Sequence, residues 1–225
     1  MVETADRVDA GTRDQTLVVL GTHQFAPEVL DLVEETPGVR VDAFVENLDR
    51  ARTAQPIEGV RVLWIEDAAE LAGTHLAVCA LGTTKRRRIV EEAQALGFRF
   101  ATVVHPLARV SRRSTLGEGT IASVGAVVAA RTQIGRHVIL NRGALVGHDT
   151  EIGDFVTLGP GANVAGLCRI GNGAYLAIGC VIRDRVTIGA GAVVAAGAVV
   201  TADVPERVQV AGVPARVVKE GVDGL

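Results

Sequence analysis

Residues 114–203, cut into sixes, read STLGEG TIASVG AVVAAR TQIGRH VILNRG ALVGHD TEIGDF VTLGPG ANVAGL CRIGNG AYLAIG CVIRDR VTIGAG AVVAAG AVVTAD. These are fifteen hexads with no insertion or deletion. The third place, from Leu116 through Val200, holds Val, Ile or Leu in fourteen of the fifteen; Ala122 is the exception. A fixed period sustained this long is the signature of a solenoid. An aliphatic every sixth residue fits neither a helical face nor plain alternation. It fits a short strand, a corner and another short strand, with one branched side chain per side pointing inward. Three sides close a triangular coil of roughly eighteen residues, so the repeat makes about five coils. Stacked at the parallel-strand spacing of about 4.8 Å, they form a prism roughly 24 Å tall. Gly recurs just after the inward residue or at the end of a hexad, where corners need unusual torsions.

Composition agrees. The chain of 225 residues is 48% hydrophobic but only 3% aromatic. A narrow coil interior accepts Val, Ile, Leu and Ala and has little room for rings. The net charge of −3 gives no reason to expect a nucleic-acid partner. The run Lys85-Arg86-Arg87-Arg88 reads as a solvated helix face. No apolar run approaches the ~20 residues that span a bilayer, and the polar opening MVETADRVDAGTRDQ has no signal-peptide core. Three Cys without paired spacing point to a reducing, cytoplasmic setting.

Ahead of the solenoid, residues 1–14 read as a disordered lead-in. Thr16–Leu20 is a continuous apolar run, as in a buried parallel strand. A helix opens near Pro27, carries Val29, Leu30 and Val33, and stops at Pro37-Gly38. Strands are expected over Val39–Val45, Gly59–Trp64, His75–Leu81 and Phe98–Val104. A second helix, capped by Thr83 or Thr84, carries Ile89, Val90, Ala93 and Leu96 and ends at Gly97. Strand–helix alternation of this kind predicts a small parallel sheet with helices packed on it. Ligands bind such sheets beyond the strand C-termini. That places Gly21–Phe25, Glu46-Asn47 and Gly82–Thr84 on one rim. GTHQFA at 21–26 has the first glycine of a dinucleotide fingerprint and none of the later ones, so taken alone it reads as a tight turn rather than a nucleotide site.

Ionisable groups on the coils are few enough to weigh one by one. His148 lies late in ALVGHD, close to a corner, with Asp149 next to it and Asn141 one hexad earlier. A neutral imidazole can take a proton from an attacking amine or hydroxyl near pH 7. A carboxylate beside it would orient the ring and favour the imidazolium. Neighbours on one strand point oppositely, so the pairing requires the corner bend; a purely structural surface pair is the alternative. His137 has no adjacent carboxylate and reads as structural. Cys168 and Cys180 each open a hexad and read as small buried hydrophobes, because no base or positive environment accompanies them. A zinc hydrolase on such coils would need three His ligands, and only His137 and His148 lie within the repeat.

The hexads, the His-Asp pair, the His105-Pro106 joint, the Val146–Gly153 motif, Pro160–Ala162, Ala165-Gly166 and the closing Val210–Arg216 together resemble one group. The chain is similar, over roughly residues 15–218, to the bacterial sialic acid O-acetyltransferases and nucleotide-amino-sugar N-acetyltransferases. The resemblance implies an α/β Rossmann-like parallel sheet at residues 15–105, followed by an all-β left-handed parallel β-helix at 106–218 and a tail at 219–225. It implies a cytoplasmic, metal-free homotrimer with acetyl-CoA between subunits, acting in polysaccharide biosynthesis. His148 would be the general base and Asp149 would raise its basicity. Thr157, Ile178 and Ala196 would contact acetyl-CoA. His23, Gln24, Phe25, Glu46, Asn47, Gly82 and Asn141 would contact a nucleotide-linked 4-amino sugar. Alternatives left open are O-acetylation of a sialic acid-type sugar, and a non-catalytic trimeric scaffold or sugar-nucleotide sensor.

Overall fold

The computed structural model describes the backbone of Arg7–Val8 and all of residues 15–225; the remainder of the expected lead-in lies outside the described residues. Two compact units result, one of residues 1–82 and 86–106, the other of 83–85 and 107–225.

In the first unit, β1 (Arg7–Val8), β2 (Gln15–Leu20), α1 (Ala26–Glu34), β3 (Val39–Glu46), β4 (Arg61–Trp64), β5 (Leu76–Cys79), α2 (Arg87–Ala95), β6 (Arg99–Phe100) and β7 (Thr102–Val104) follow in order. Five strands form a parallel sheet in the order β4-β3-β2-β5-β6. Leu17 to Leu20 and Ala77 to Val78 are completely or almost completely buried, which is why they read as unbroken apolar runs. The strand order reverses between β2 and β5, so the crevice at their C-terminal ends is flanked by Gly21 and Leu81. A Cβ on Gly21 would stand 2.9 Å from Leu81 Cδ2, and its φ of 102° is open to glycine.

Three details differ from the sequence reading. Arg7–Val8 pairs in parallel with Thr102–Val103 instead of belonging wholly to a structureless lead-in. The expected strand 98–104 is two pieces, interrupted at Ala101. Neither Thr83 nor Thr84 caps α2: Arg86 holds the cap position, with no capping hydrogen bond from its side chain. Thr84 instead exchanges bonds with Leu225, whose N–H donates to Thr84 Oγ1 at 3.0 Å and whose carbonyl accepts from Thr84 N at 2.9 Å. The basic run is solvated only in part. Arg87 and Arg88 face Glu91 and Glu92 one turn on, but Arg86 is 1% exposed. Burial lowers its pKa to about 10.

The second unit is a left-handed parallel β-helix. Its first face stacks two-residue strands at 121–122, 139–140, 157–158, 175–176 and 193–194, then Val208–Gly212. The second face stacks 109–110, 127–128, 145–146, 163–164, 181–182 and 199–200. The third stacks 115–116, 133–134, 151–152, 169–170 and 187–188. Within this unit the coils begin one strand before the repeat, at Arg109. Inward residues from Ala122 to Val200 are at most 4% exposed. From the second hexad on, the first place is buried as well: Ala126, Thr132, Val138, Ala144, Thr150 and Cys168 are all at or below 1%. Each side thus contributes two inward residues, one large and one small, rather than the single one expected. The buried hydroxyls are satisfied by the next coil: Thr132 Oγ1 donates to Gly147 O at 2.8 Å and Ser114 Oγ to Ala129 O at 2.6 Å. Ala215–Glu220 closes the stack as an antiparallel strand on Val208–Gly212. No helix among the described residues is long and apolar enough to cross a membrane.

Candidate active site

The corner between the second and third faces turns through a left-handed residue in four successive coils: Arg131 (φ 57°), Asp149 (55°), Leu167 (62°) and Arg185 (59°). Non-glycine residues occupy this region uncommonly, and Asp is among those that tolerate it. The bend at Asp149 swings its carboxylate back onto the residue before it. Asp149 Oδ2 stands 2.7 Å from His148 Nδ1. Arg131, one coil earlier, clamps the same carboxylate with two bonds of 2.6 Å, from Nε to Oδ1 and from Nη2 to Oδ2. Hydrogen bonds from Arg131 and then His148 hold the Asp149 carboxyl down to about 2. The Asp149 carboxylate thus orients a half-exposed ring through Nδ1. Gly166, one coil later, makes room for the ring: a Cβ there would come within 2.9 Å of His148 Nε2. Gly147 is confined differently, because its Cβ would run into the backbone of Ala165 and Gly166.

His137 is buried at 7% and stacked on Phe155 with ring centroids 5.0 Å apart, in keeping with a packing role. Cys168 and Cys180 are at most 1% exposed, and burial raises both thiols, Cys180 to about 12. Cys168 Sγ contributes a hydrogen bond to Arg183 O at 3.2 Å. Among the described residues no group of three or more His, Cys, Asp or Glu is placed to hold a metal ion.

The residues that the resemblance assigns to acetyl-CoA lie elsewhere on the prism. Ile178 (55% exposed) and Ala196 stand one coil apart at the corner between the first and second faces. There the left-handed position is glycine in every coil, at Gly125, Gly143, Gly161, Gly179 and Gly197. The His148 corner shows that this torsion does not require glycine, so the bare backbone leaves space outside the coil. Thr157 lies on the first face and is only 3% exposed. Asn141 is not beside His148 within the chain. It sits at the glycine corner, a full face away from His148, and its Oδ1 accepts from Arg142 N at 2.7 Å.

On the rim of the first unit His23 and Gln24 are exposed, and Phe25 is half-buried near Gly82. Glu46 is 2% exposed, and both of its carboxylate oxygens accept hydrogen bonds. Oε1 accepts from the N–H groups of Asn47, Leu48 and Asp49 at 3.0, 2.7 and 3.2 Å. Oε2 accepts from the Thr22 hydroxyl, and Arg52 Nε lies 3.8 Å away. Burial pushes this carboxyl up, but the Thr22 hydroxyl and the three N–H groups outweigh it and hold it below its ordinary value. Asn47 turns inward, with Nδ2 donating to Glu92 at 2.6 Å. Thr22 and Arg52, like Arg131, were not singled out from sequence. Arg131 was detectable, because it precedes Asp149 by one eighteen-residue coil.

Parallel rungs of six residues with a carboxylate-backed histidine at one corner define a hexapeptide-repeat acyltransferase. The family model described as bacterial transferase hexapeptide (six repeats) matches residues 167–202. A histidine variant of perosamine N-acetyltransferase from Caulobacter crescentus, solved with CoA and GDP-perosamine, is 32% identical, with a TM-score of 0.84 over 90% of this chain and 96% of that one. The acetyltransferase domain of PglB from Neisseria gonorrhoeae, solved with acetyl coenzyme A, is 30% identical, with a TM-score of 0.84 over 91% of this chain and all of that one. WeeI from Acinetobacter baumannii is 29% identical, with a TM-score of 0.82 over the same shares. No curated protein matches the chain in sequence. The chain belongs to the hexapeptide-repeat sugar N-acetyltransferase family of the Caulobacter enzyme.

Proposed function

We propose that the protein transfers the acetyl group of acetyl-CoA to the amino group of a nucleotide-linked amino sugar, by direct attack. The observation that carries this is the His148–Asp149–Arg131 array on a chain alike, almost end to end, to an enzyme solved with CoA and GDP-perosamine. The amine nitrogen attacks the thioester carbon while His148 Nε2 takes its proton. Asp149, fixed as an anion, steadies the imidazolium. A backbone N–H of a neighbouring coil meets the oxyanion, worth about 3 kcal/mol. The C–S bond then breaks and the imidazolium returns the proton to the departing CoA thiolate. The two bound substrates gain the remainder from orientation.

Two neighbouring subunits of a trimer share each site in this reading. Within one chain the glycine corner bearing Ile178 and Ala196 and the corner bearing His148 are a face apart. Acetyl-CoA along the first corner of one copy would therefore meet His148 of another. The rim residues His23, Gln24, Phe25 and Gly82 read the nucleotide, with Glu46 and Asn47 holding that rim in shape. The setting is cytoplasmic and the product enters polysaccharide biosynthesis. Acetyl-CoA-dependent release of CoA thiol with nucleotide 4-amino sugars tests the activity. His148→Ala should still bind acetyl-CoA and lose about 10²- to 10⁴-fold in turnover; unchanged turnover at saturating acceptor would refute the base assignment. A folded monomeric variant with full activity would refute the shared site.

A further inference from the structure

At the start of the β-helix a cavity of about 720 Å³ is lined by Arg109, Ser111, Arg112 and Arg113 on one coil and by residues 127–130 on the next. No carboxylate lines it. Four other coil arginines answer to acids: Arg131 to Asp149, Arg136 to Asp154, Arg169 to Glu151, Arg185 to Asp184. Arg109, Arg112 and Arg113 have no ion pair among the described residues, although they bring three positive charges within five positions. Ser111 Oγ accepts from Arg113 N at 3.2 Å and shapes the turn between them. The far wall is tied to the catalytic corner, for Ala130 O accepts from Asp149 N at 3.0 Å.

We propose that this cavity binds the diphosphate of a nucleotide-bearing substrate, an inference that rests on the transferase reading above. Guanidinium forks pair with phosphate oxygens two bonds at a time. The cavity is within the range of ligand sites, about 300–1,000 Å³, and larger than a lone phosphate needs. Both proposed substrates carry a diphosphate, the nucleotide sugar and CoA, and a site one coil from His148 would position either. The missing counter-charge on the three arginines is then supplied by the ligand.

Titration calorimetry of the full chain at fixed ionic strength tests this without turnover. Inorganic pyrophosphate is the first probe, followed by UDP, GDP and CoA. Arg112→Gln combined with Arg113→Gln should weaken pyrophosphate at least tenfold, and Arg109→Gln alone should weaken it in the same direction. Arg183→Gln, an exposed arginine outside the cavity, should leave it unchanged. A matching loss for a nucleoside diphosphate marks the acceptor as the carrier; a matching loss for CoA marks the acetyl donor. The proposal is overturned if wild type does not bind pyrophosphate or if variants with wild-type circular dichroism and Tm bind it equally well. It is also overturned if only pyrophosphate, and neither nucleotide nor CoA, responds. Arginine-dependent binding by a chain that releases no CoA thiol would sink the transferase reading and leave the diphosphate site standing.

Discussion

Asp149 Oδ2 lies 2.7 Å from Nδ1 of His148, the residue immediately before it in the chain. On a straight strand the two side chains would project from opposite faces. The left-handed torsion of Asp149 brings them together, and Arg131 on the preceding coil fixes the result.

Asp149→Asn keeps a side chain suited to the left-handed corner and removes the anion. The fold and Tm should be close to wild type, while kcat falls by about one to two orders of magnitude, less than for His148→Ala. Steady-state kinetics at saturating acetyl-CoA would decide. A kcat within twofold of wild type would mean that the carboxylate does not support the base.

Gly166→Ala and Gly147→Ala separate positioning from folding. At Gly166 the intruding methyl meets the His148 ring, which can swing away at the cost of its Asp149 bond. That variant should fold normally and lose most of its turnover. At Gly147 the methyl meets backbone of the next coil, so the coils must part. Thermal unfolding should show a clear drop in Tm for Gly147→Ala and little change for Gly166→Ala.

The Asp149 carboxyl has a folded value of about 2 against an ordinary value of 3.8. A depressed carboxyl contributes stability that is present above the unfolded value and lost as pH falls through the folded one. Arg131→Met removes the main cause of the depression. The stability gap between wild type and Arg131→Met should therefore be constant above about pH 5 and close as pH approaches 2. Denaturant unfolding at several pH values measures it; a gap that widens in acid would contradict the assignment.

Cys79, Cys168 and Cys180 are free, buried thiols. Burial raises Cys79 to about 11 and Cys180 to about 12. Native protein should react negligibly with an aromatic disulfide reagent, and denatured protein should release three equivalents. Activity that survives iodoacetamide would agree with direct transfer. Rapid, stoichiometric inactivation would instead implicate a thiol intermediate.

The sequence by itself determined the β-helix, because a six-residue period with branched aliphatics can be buried in only one way over fifteen turns of the pattern. It determined the parallel sheet from the unbroken apolar runs at 16–20 and 76–79. It also singled out His148 and Asp149 as the candidate base and its carboxylate, since few other ionisable neighbours sit so close to a corner. Tertiary structure alone decided which distant residues meet. Arg131 reaches Asp149 because one coil returns the chain to the same corner, and Glu46 is enclosed because three successive N–H groups and Thr22 converge on it. Asn141 is removed from His148 because one hexad is one face of a triangle. A linear pattern carries the period of burial, while the contacts across coils depend on where that period closes in space.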